Sequence, residues 1–158
     1  MKTIKRNLIK ESKKEKHFID SSVWIELYLK ERRVDEINNY IGKLKNKEYL
    51  PCVNLIIIGE VIKAIKTKSK DIINHVRDFI DLLDLLDVRI IDITHNSIYL
   101  TYNEFYDNLH VSKKDSMDIL NLSSVYNNNL KIFMTIEDIN KPIWNNNYIK
   151  KLIKVKTL

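Results

Sequence analysis

The sequence contains one cysteine and two glycines, and this scarcity excludes several kinds of site. A lone cysteine, Cys52, cannot form an internal disulfide or a cysteine-based zinc site, so we expect a small buried hydrophobic residue. Gly42 and Gly59 stand apart, which excludes glycine-rich phosphate loops and argues against a dinucleotide cofactor. The histidines share no ligand spacing, and we expect them at the surface or at helix edges: His17, His75, His95 and His110.

Long hydrophobic runs are also missing. The longest, residues 55–58 and 132–134, are far shorter than the ~20 residues that cross a bilayer. The first thirty residues alternate Lys and Glu and lack an apolar signal core. The 158 residues are 44% hydrophobic and 30% charged, which is enough for one folded domain and excludes disorder. We therefore expect a cytoplasmic protein with no membrane partner.

The charge of the chain is distributed unevenly. Residues 1–16 contain seven Lys or Arg and two Glu, and residues 141–158 contain five Lys and no acid. Each end carries +5, so the overall charge of +6 leaves −4 for residues 17–140. A basic N-terminal arm and a basic C-terminal extension around an acidic domain suit a protein that gathers an anionic polymer and acts on it with carboxylates. Alternatively, the lysines only solvate the ends.

Strand-like and helical segments alternate along the chain. Parallel strands require crossover connections, so this alternation predicts a three-layer α/β/α sandwich with a mainly parallel central sheet. The predicted strands are residues 17–20, 49–53, 88–93 and 130–134. The predicted helices begin after Asp20, at residue 55, at residue 71, at about residue 96 (to 108) and at residue 112 (to 126).

Carboxylates lie where such a sheet binds ligands, beyond the carboxyl ends of its strands. Asp20 ends the first strand, and Glu137 and Asp138 follow the last one. Glu60 and Asp118 lie in early helical turns that face the same edge, so all of these positions can converge. Clustered carboxylates repel one another unless a cation neutralises them, and oxygen ligands select Mg²⁺ or Mn²⁺ over zinc. Such an ion can activate a water against a phosphodiester.

Four segments resemble the motifs of PIN domains in order and spacing. Residues 18–25, FIDSSVWI, resemble the first motif, in which a strand ends in Asp and an apolar helix follows. Residues 55–61, LIIIGEV, resemble the second motif, an apolar helix with one Glu. Residues 118–125, DILNLSSV, and residues 131–135, KIFMT, resemble the third and fourth motifs. The similarity covers roughly residues 17–140, where we expect the PIN-like domain.

The resemblance implies a metal-dependent ribonuclease, often the toxin of a VapBC-type toxin–antitoxin pair in which a dimer is neutralised by a partner protein. It implies Mg²⁺ or Mn²⁺ as the cofactor and RNA as the substrate, with a homodimer and an antitoxin as partners. The implied catalytic residues are Asp20, Glu60, Asp118 and Glu137, and the implied metal ligands are these four together with Asp138.

Some site assignments have alternatives. Asp115 completes a capping-box pattern and so has a structural role available, whereas Asp118 agrees with the family motif and is preferred. Ser22 is expected to orient the first acid, to bind phosphate or simply to cap the following helix. The role of Thr135 is likewise open between a functional and a purely structural one.

The fourth acid departs from the family pattern. The family has Thr-x-Asp where this chain has Thr135-Ile136-Glu137-Asp138. Glu137 stands at the acid position of the motif but has a longer side chain than the usual Asp. Asp138 has the usual side-chain length but lies one residue further along. Because neighbours in an extended segment point to opposite sides, Asp138 would need an irregular backbone to turn towards the site. We favour Glu137. The departure and the two basic ends keep open a catalytically impaired PIN-like module for RNA binding or assembly. A DNA or phosphomonoester hydrolase is a third possibility, because a metal cluster of this kind recognises phosphate and not the sugar.

An aromatic stripe marks the helix predicted after residue 96. Tyr99, Tyr102 and Tyr106 are expected to pack in the core, with base stacking or a dimer surface as alternatives. The helix around them is the candidate surface for the homodimer.

Overall fold

The computed structural model describes residues 14–29, 33–105 and 116–158. In these ranges no helix combines the length and the apolar character needed to cross a membrane. The strands are β1 (Lys16–Ile19), β2 (Leu50–Val53), β3 (Arg89–Ile90), β4 (Ile132–Thr135) and β5 (Lys154–Thr157). The α-helices are α1 (Ser21–Leu29), α2 (Val34–Lys45), α3 (Leu55–Lys68), α4 (Ile72–Leu85), α5 (His95–Leu100), α6 (Ser116–Asn127) and α7 (Asn147–Leu152), and a π-helical turn spans Thr101–Phe105.

The described strands form one sheet in the order β3-β2-β1-β4-β5, and every neighbouring pair is parallel. At its centre Phe18 of β1 lies opposite Cys52 of β2 and Phe133 of β4. Helices flank the sheet, and the predicted α/β/α architecture is confirmed. Strands covered on both faces read as continuous hydrophobic runs, which is why β2 and β4 were visible in the sequence.

The core lies between the central strands and the helices that cover them. All four residues of β2 and of β4 are buried, and Cys52, 1% exposed, is the small buried residue that was predicted. Trp24 of α1 packs edge-on against Phe79 of α4, with ring centroids 5.9 Å apart. This packing fixes α1 directly after the carboxyl end of β1.

Two helices illustrate how local signals set the boundaries. Asn54 caps α3, because its side-chain oxygen accepts a hydrogen bond from the Ile57 backbone N–H at 3.0 Å. Helix α2 was not predicted, although its buried residues have helical spacing. They are Ile37, Tyr40, Ile41 and Leu44.

Residues 88–105 differ from the prediction in two ways. The predicted strand 88–93 is reduced to Arg89–Ile90, because the ladder with β2 ends where the Ile91 N–H donates to the Val53 carbonyl at 2.7 Å. The predicted helix 96–108 begins at His95, where Thr94 and Ser97 form a capping box, and changes to the π-helical turn after Leu100. Residues 106–108 and 112–115 of the predicted helices lie outside the described residues.

Residues 141–158, the predicted basic extension, contain regular structure that the sequence pattern did not reveal. Asn146 caps α7 through the Tyr148 N–H, and β5 then pairs with β4 along four residues. The sequence of β5, KVKT, shows little hydrophobic signal because an edge strand is only partly covered.

Two aromatic residues lie where they were not expected. His17 is 2% exposed, not superficial, because it occupies a buried position of β1 and stacks on Tyr49 with ring centroids 4.1 Å apart. Tyr99 is 59% exposed, so the expectation of core packing was wrong for this residue. The side chain of Tyr102 and the whole of Tyr106 lie outside the described part of the chain.

Candidate active site

Asp20 occupies the carboxyl end of β1, at the centre of the sheet. Its backbone N–H donates to the Met134 carbonyl at 2.9 Å, which aligns it with the end of β4. The side chain is 4% exposed, and two hydroxyl groups donate to its Oδ2, Ser22 Oγ at 2.5 Å and Thr135 Oγ1 at 3.0 Å. Ser22 therefore has the geometry of a residue that orients this acid.

The same two hydroxyl groups connect the ends of β1 and β4. Ser22 Oγ lies 3.1 Å from Thr135 Oγ1 and accepts a hydrogen bond from the Ile136 N–H at 3.3 Å. Thr135 Oγ1 accepts one from the Glu137 N–H at 3.1 Å. This network sets the direction in which the chain leaves β4, and so the position of Glu137.

The carboxyl group of Asp20 experiences both desolvation and negative charge. Its pKa is raised from the ordinary 3.8 to about 6, and burial is the largest cause. The charges of Glu137 and Glu60 also raise the pKa of Asp20, and the hydrogen bonds from the two hydroxyl groups lower it. Because Glu60 is carried by α3 and Glu137 follows β4, acids from three elements act on one another here.

Asp118, in the first turn of α6, completes this group. Burial, which is the largest cause, and the charges of Asp20, Glu137 and Glu60 together raise its pKa from 3.8 to about 7. Lys141 acts in the opposite direction and lowers the pKa of Asp118. The charges of Glu60 and Glu137 therefore act on both Asp20 and Asp118, and these are the four principal acids predicted for the carboxyl edge of the sheet.

The two candidates for the fourth acid lie in different surroundings. Glu137 is partly buried; its Oε1 lies 2.6 Å from Lys141 Nζ, and its Oε2 accepts a hydrogen bond from Trp144 Nε1 at 3.0 Å. Asp138 is exposed, and its Oδ1 accepts hydrogen bonds from the backbone and side-chain nitrogens of Asn140. The geometry thus places Glu137 with the other acids and gives Asp138 a role in the turn. Asp115 lies outside the described residues.

Comparison with solved structures identifies the type of fold. A chain in the crystal structure of VapBC2 from Rickettsia felis, bound to a DNA fragment from their promoter, superposes with a TM-score of 0.63 and 14% identity, covering 90% of this chain and 98% of that one. A chain in a toxin–antitoxin complex from Klebsiella pneumoniae gives 0.57 and 16%, covering 78% and 90%. The fold is of the PIN type. Neither a protein-family model nor a curated protein matches the sequence.

The donor set of this PIN-type fold suits a hard divalent cation, because every candidate ligand is a carboxylate oxygen. Within residues 14–29, 33–105 and 116–158, however, no three His, Cys, Asp or Glu side chains are already arranged to hold an ion. An ion would have to draw the acids together, and its charge would favour the ionised forms of Asp20 and Asp118, whose pKa values are raised by burial and by the neighbouring acids.

Two residues of this edge were missed by the sequence analysis, Lys141 and Trp144. Lys141 lies four residues after Glu137, a spacing that indicates an ion pair only where the chain turns helically. A cavity of about 600 Å³ is lined in part by Arg33, Ile136, Glu137 and Asp138. Glu137 is the residue that this cavity shares with the acidic site.

Proposed function

We propose that this protein is a divalent-metal-dependent endoribonuclease and the toxin of a toxin–antitoxin pair. The observation that carries the proposal is the convergence of Asp20, Glu60, Asp118 and Glu137 at the carboxyl edge of the sheet, where two of the four have pKa values raised towards neutrality. A structural cluster of that kind has no evident benefit for stability, since the acids repel one another.

Asp20, Glu60 and Asp118 would hold the ion, with Glu137 completing the set. When bound there, Mg²⁺ or Mn²⁺ would lower the pKa of a bound water and polarise the phosphodiester. Ser22 and Thr135 keep Asp20 oriented by donating to a single carboxylate oxygen. That arrangement reduces the entropy lost when the acid binds an ion.

RNA is the proposed substrate. The cavity lined by Glu137 offers space for a nucleotide next to that acid, and Arg33 provides a cation on its wall. Residues 141–158 are basic, and two of their lysines, Lys154 and Lys156, lie on the edge strand β5. Contacts between these lysines and phosphate groups would strengthen RNA binding at low salt.

The partners proposed are a second copy of the chain and an antitoxin, with both proteins acting in the cytoplasm. The antitoxin rests on the likeness to chains from toxin–antitoxin complexes. The homodimer is supported by apolar surface on α5, where Ile98 and Tyr99 are 44% and 59% exposed. We expect a dimer by light scattering at micromolar concentration, and a monomer there would contradict this part of the proposal.

One observation favours a second candidate, a PIN-like module with impaired catalysis that binds RNA or supports assembly. The acid at the fourth position is Glu137, and both of its oxygens already have partners in Lys141 and Trp144. The other three acids are present, so the nuclease is preferred.

A single assay separates these functions. The purified protein would be incubated with RNA, single-stranded DNA and a phosphomonoester, each with Mg²⁺, Mn²⁺ or EDTA. Metal-dependent cleavage of RNA alone supports the proposal. Cleavage of DNA or of the phosphomonoester instead would indicate the third function, and RNA binding without cleavage would indicate the impaired module.

The contribution of the fourth acid is tested by two isosteric variants. We expect Glu137→Gln to reduce cleavage about tenfold, because an acid that acts on the ion from further away contributes less than a direct ligand. Asp138→Asn should stay within about twofold, because asparagine retains the Oδ1 acceptor used by Asn140. Initial rates on the same RNA decide the matter. Loss only in the second variant would show that the motif register is wrong, and loss in neither would favour the impaired module.

A further inference from the structure

A lysine lies at the acidic edge of the sheet, with its side chain 47% exposed. Lys141 Nζ is 2.6 Å from Glu137 Oε1. Burial lowers the pKa of Lys141, but the hydrogen bond and charge of Glu137, together with the charges of Asp118 and Asp20, outweigh burial and raise it. The positive charge of Lys141 therefore interacts with three acids from different elements: Asp20 after β1, Asp118 in α6 and Glu137 after β4.

A turn after β4 returns the chain to place this lysine. Asp138 Oδ1 accepts a hydrogen bond from the Asn140 N–H at 2.9 Å, and the Asp138 carbonyl accepts one from the Lys141 N–H at 3.0 Å. The next turn closes when the Asn145 N–H donates to the Lys141 carbonyl at 2.9 Å. The backbone of Lys141 is thus fixed on both sides.

The acid that binds Lys141 is fixed as well. Trp144 is 1% exposed and packs against Phe133 of β4, with ring centroids 5.1 Å apart. Its Nε1 donates to Glu137 Oε2 at 3.0 Å. A core-anchored indole on one oxygen and an ammonium on the other leave the Glu137 carboxylate little freedom.

We propose that Lys141 is a positioning residue that acts as the resident counter-charge of the acidic edge and, through Glu137, sets its affinity for the divalent ion. The second part rests on the proposed metal-dependent function. The first part rests only on the contacts of Lys141, Glu137 and Trp144. The competing view is an ordinary surface ion pair between residues four apart, which stabilises a protein by ~0–1 kcal/mol and leaves the metal unaffected.

The experiment measures the affinity of the full chain for Mn²⁺ by titration calorimetry. We expect Lys141→Met to bind Mn²⁺ about tenfold more tightly, because the ion no longer meets a fixed positive charge nearby. Lys141→Arg should stay within about threefold of the parent, since it restores the charge. Lys150→Met is the matched control and should leave the affinity unchanged, because Lys150 bonds Asn145 away from the acids.

A double variant tests whether the effect passes through Glu137. In a Glu137→Gln background the lysine has no carboxylate to hold it, so adding Lys141→Met should change Mn²⁺ affinity by less than about threefold. An unchanged or weaker affinity of Lys141→Met in the parent background would overturn the assignment, as would a full effect in the Glu137→Gln background.

Thermal unfolding in EDTA separates failure of this inference from failure of the proposed function. Without metal, Lys141→Met should unfold at a temperature several degrees below that of Lys150→Met, because the acids lose their counter-charge. Equal melting temperatures would overturn the counter-charge role even if the protein cleaves RNA. A parent protein that binds no Mn²⁺ would overturn the link to the ion and the proposed function, whereas the EDTA result would still decide the role of Lys141.

Discussion

Replacing Asp20 with asparagine should lower metal-dependent RNA cleavage by about 100-fold or more, because one carboxylate is removed from the ion's ligands. The fold should be retained, since the asparagine side-chain oxygen can accept the hydrogen bonds that Ser22 and Thr135 now donate. The measurement is the initial rate of RNA cleavage at saturating Mg²⁺, with circular dichroism to verify the fold.

The matched control is Asp84→Asn, the same chemical change on an exposed turn of α4. We expect its cleavage rate to equal that of the parent. Undiminished activity of Asp20→Asn would remove Asp20 from the site, and loss of the circular dichroism signal would mean that the residue is structural.

The central strands and the first helix were predictable because their local signals agree with the tertiary structure. In β1, β2 and β4 burial on both faces demands hydrophobic residues, and the sequence supplies them in short uninterrupted runs. The edge strand β5 could not be found in this way. This strand forms by pairing with β4. Because its residues are exposed or only partly buried, its sequence KVKT needs no hydrophobic pattern.

The acids of the site were predictable for a different reason. In a parallel sheet the carboxyl ends of all strands meet at one edge, so residues that follow β1 and β4 must be close whatever the packing. Lys141 and Trp144 depend on how the turn at Asp138 redirects the chain. Such a return is decided by hydrogen bonds between particular side-chain and backbone atoms, and hydrophobic periodicity carries no information about them.

The stability of the metal-free protein should increase as the pH falls from 8 to about 5. The folded-state pKa values of Asp20 and Asp118, about 6 and about 7, lie above the ordinary 3.8, so the folded protein binds more protons than the unfolded chain in this range. The free energy of unfolding therefore decreases as the pH rises through these values. If the folded protein stabilised these acids as anions, the free energy of unfolding would instead increase as the pH rises.

Asp20→Asn isolates one contribution to this slope. The variant should be more stable than the parent in EDTA at pH 8 by about 2 to 3 kcal/mol, or about 5–10 °C in melting temperature, since a pKa shift of one unit corresponds to about 1.4 kcal/mol. The difference should become small near pH 4, where the carboxyl group is protonated in the folded protein and about half protonated in the unfolded chain. His17, whose pKa burial lowers, is present in both proteins and cancels.

Added Mn²⁺ should reverse the order of the two proteins at pH 8. An ion that binds only the folded parent stabilises it by about 4.1 kcal/mol at a free concentration 1,000 times its dissociation constant, which exceeds the cost of burying the Asp20 carboxylate, about 2 to 3 kcal/mol. The variant lacks one ligand and gains less. Urea unfolding at pH 8, with EDTA and with Mn²⁺, gives the four free energies. A parent that is already the more stable protein in EDTA would mean that Asp20 is stabilised as an anion by its hydroxyl partners, and the acidic edge would then need no cation.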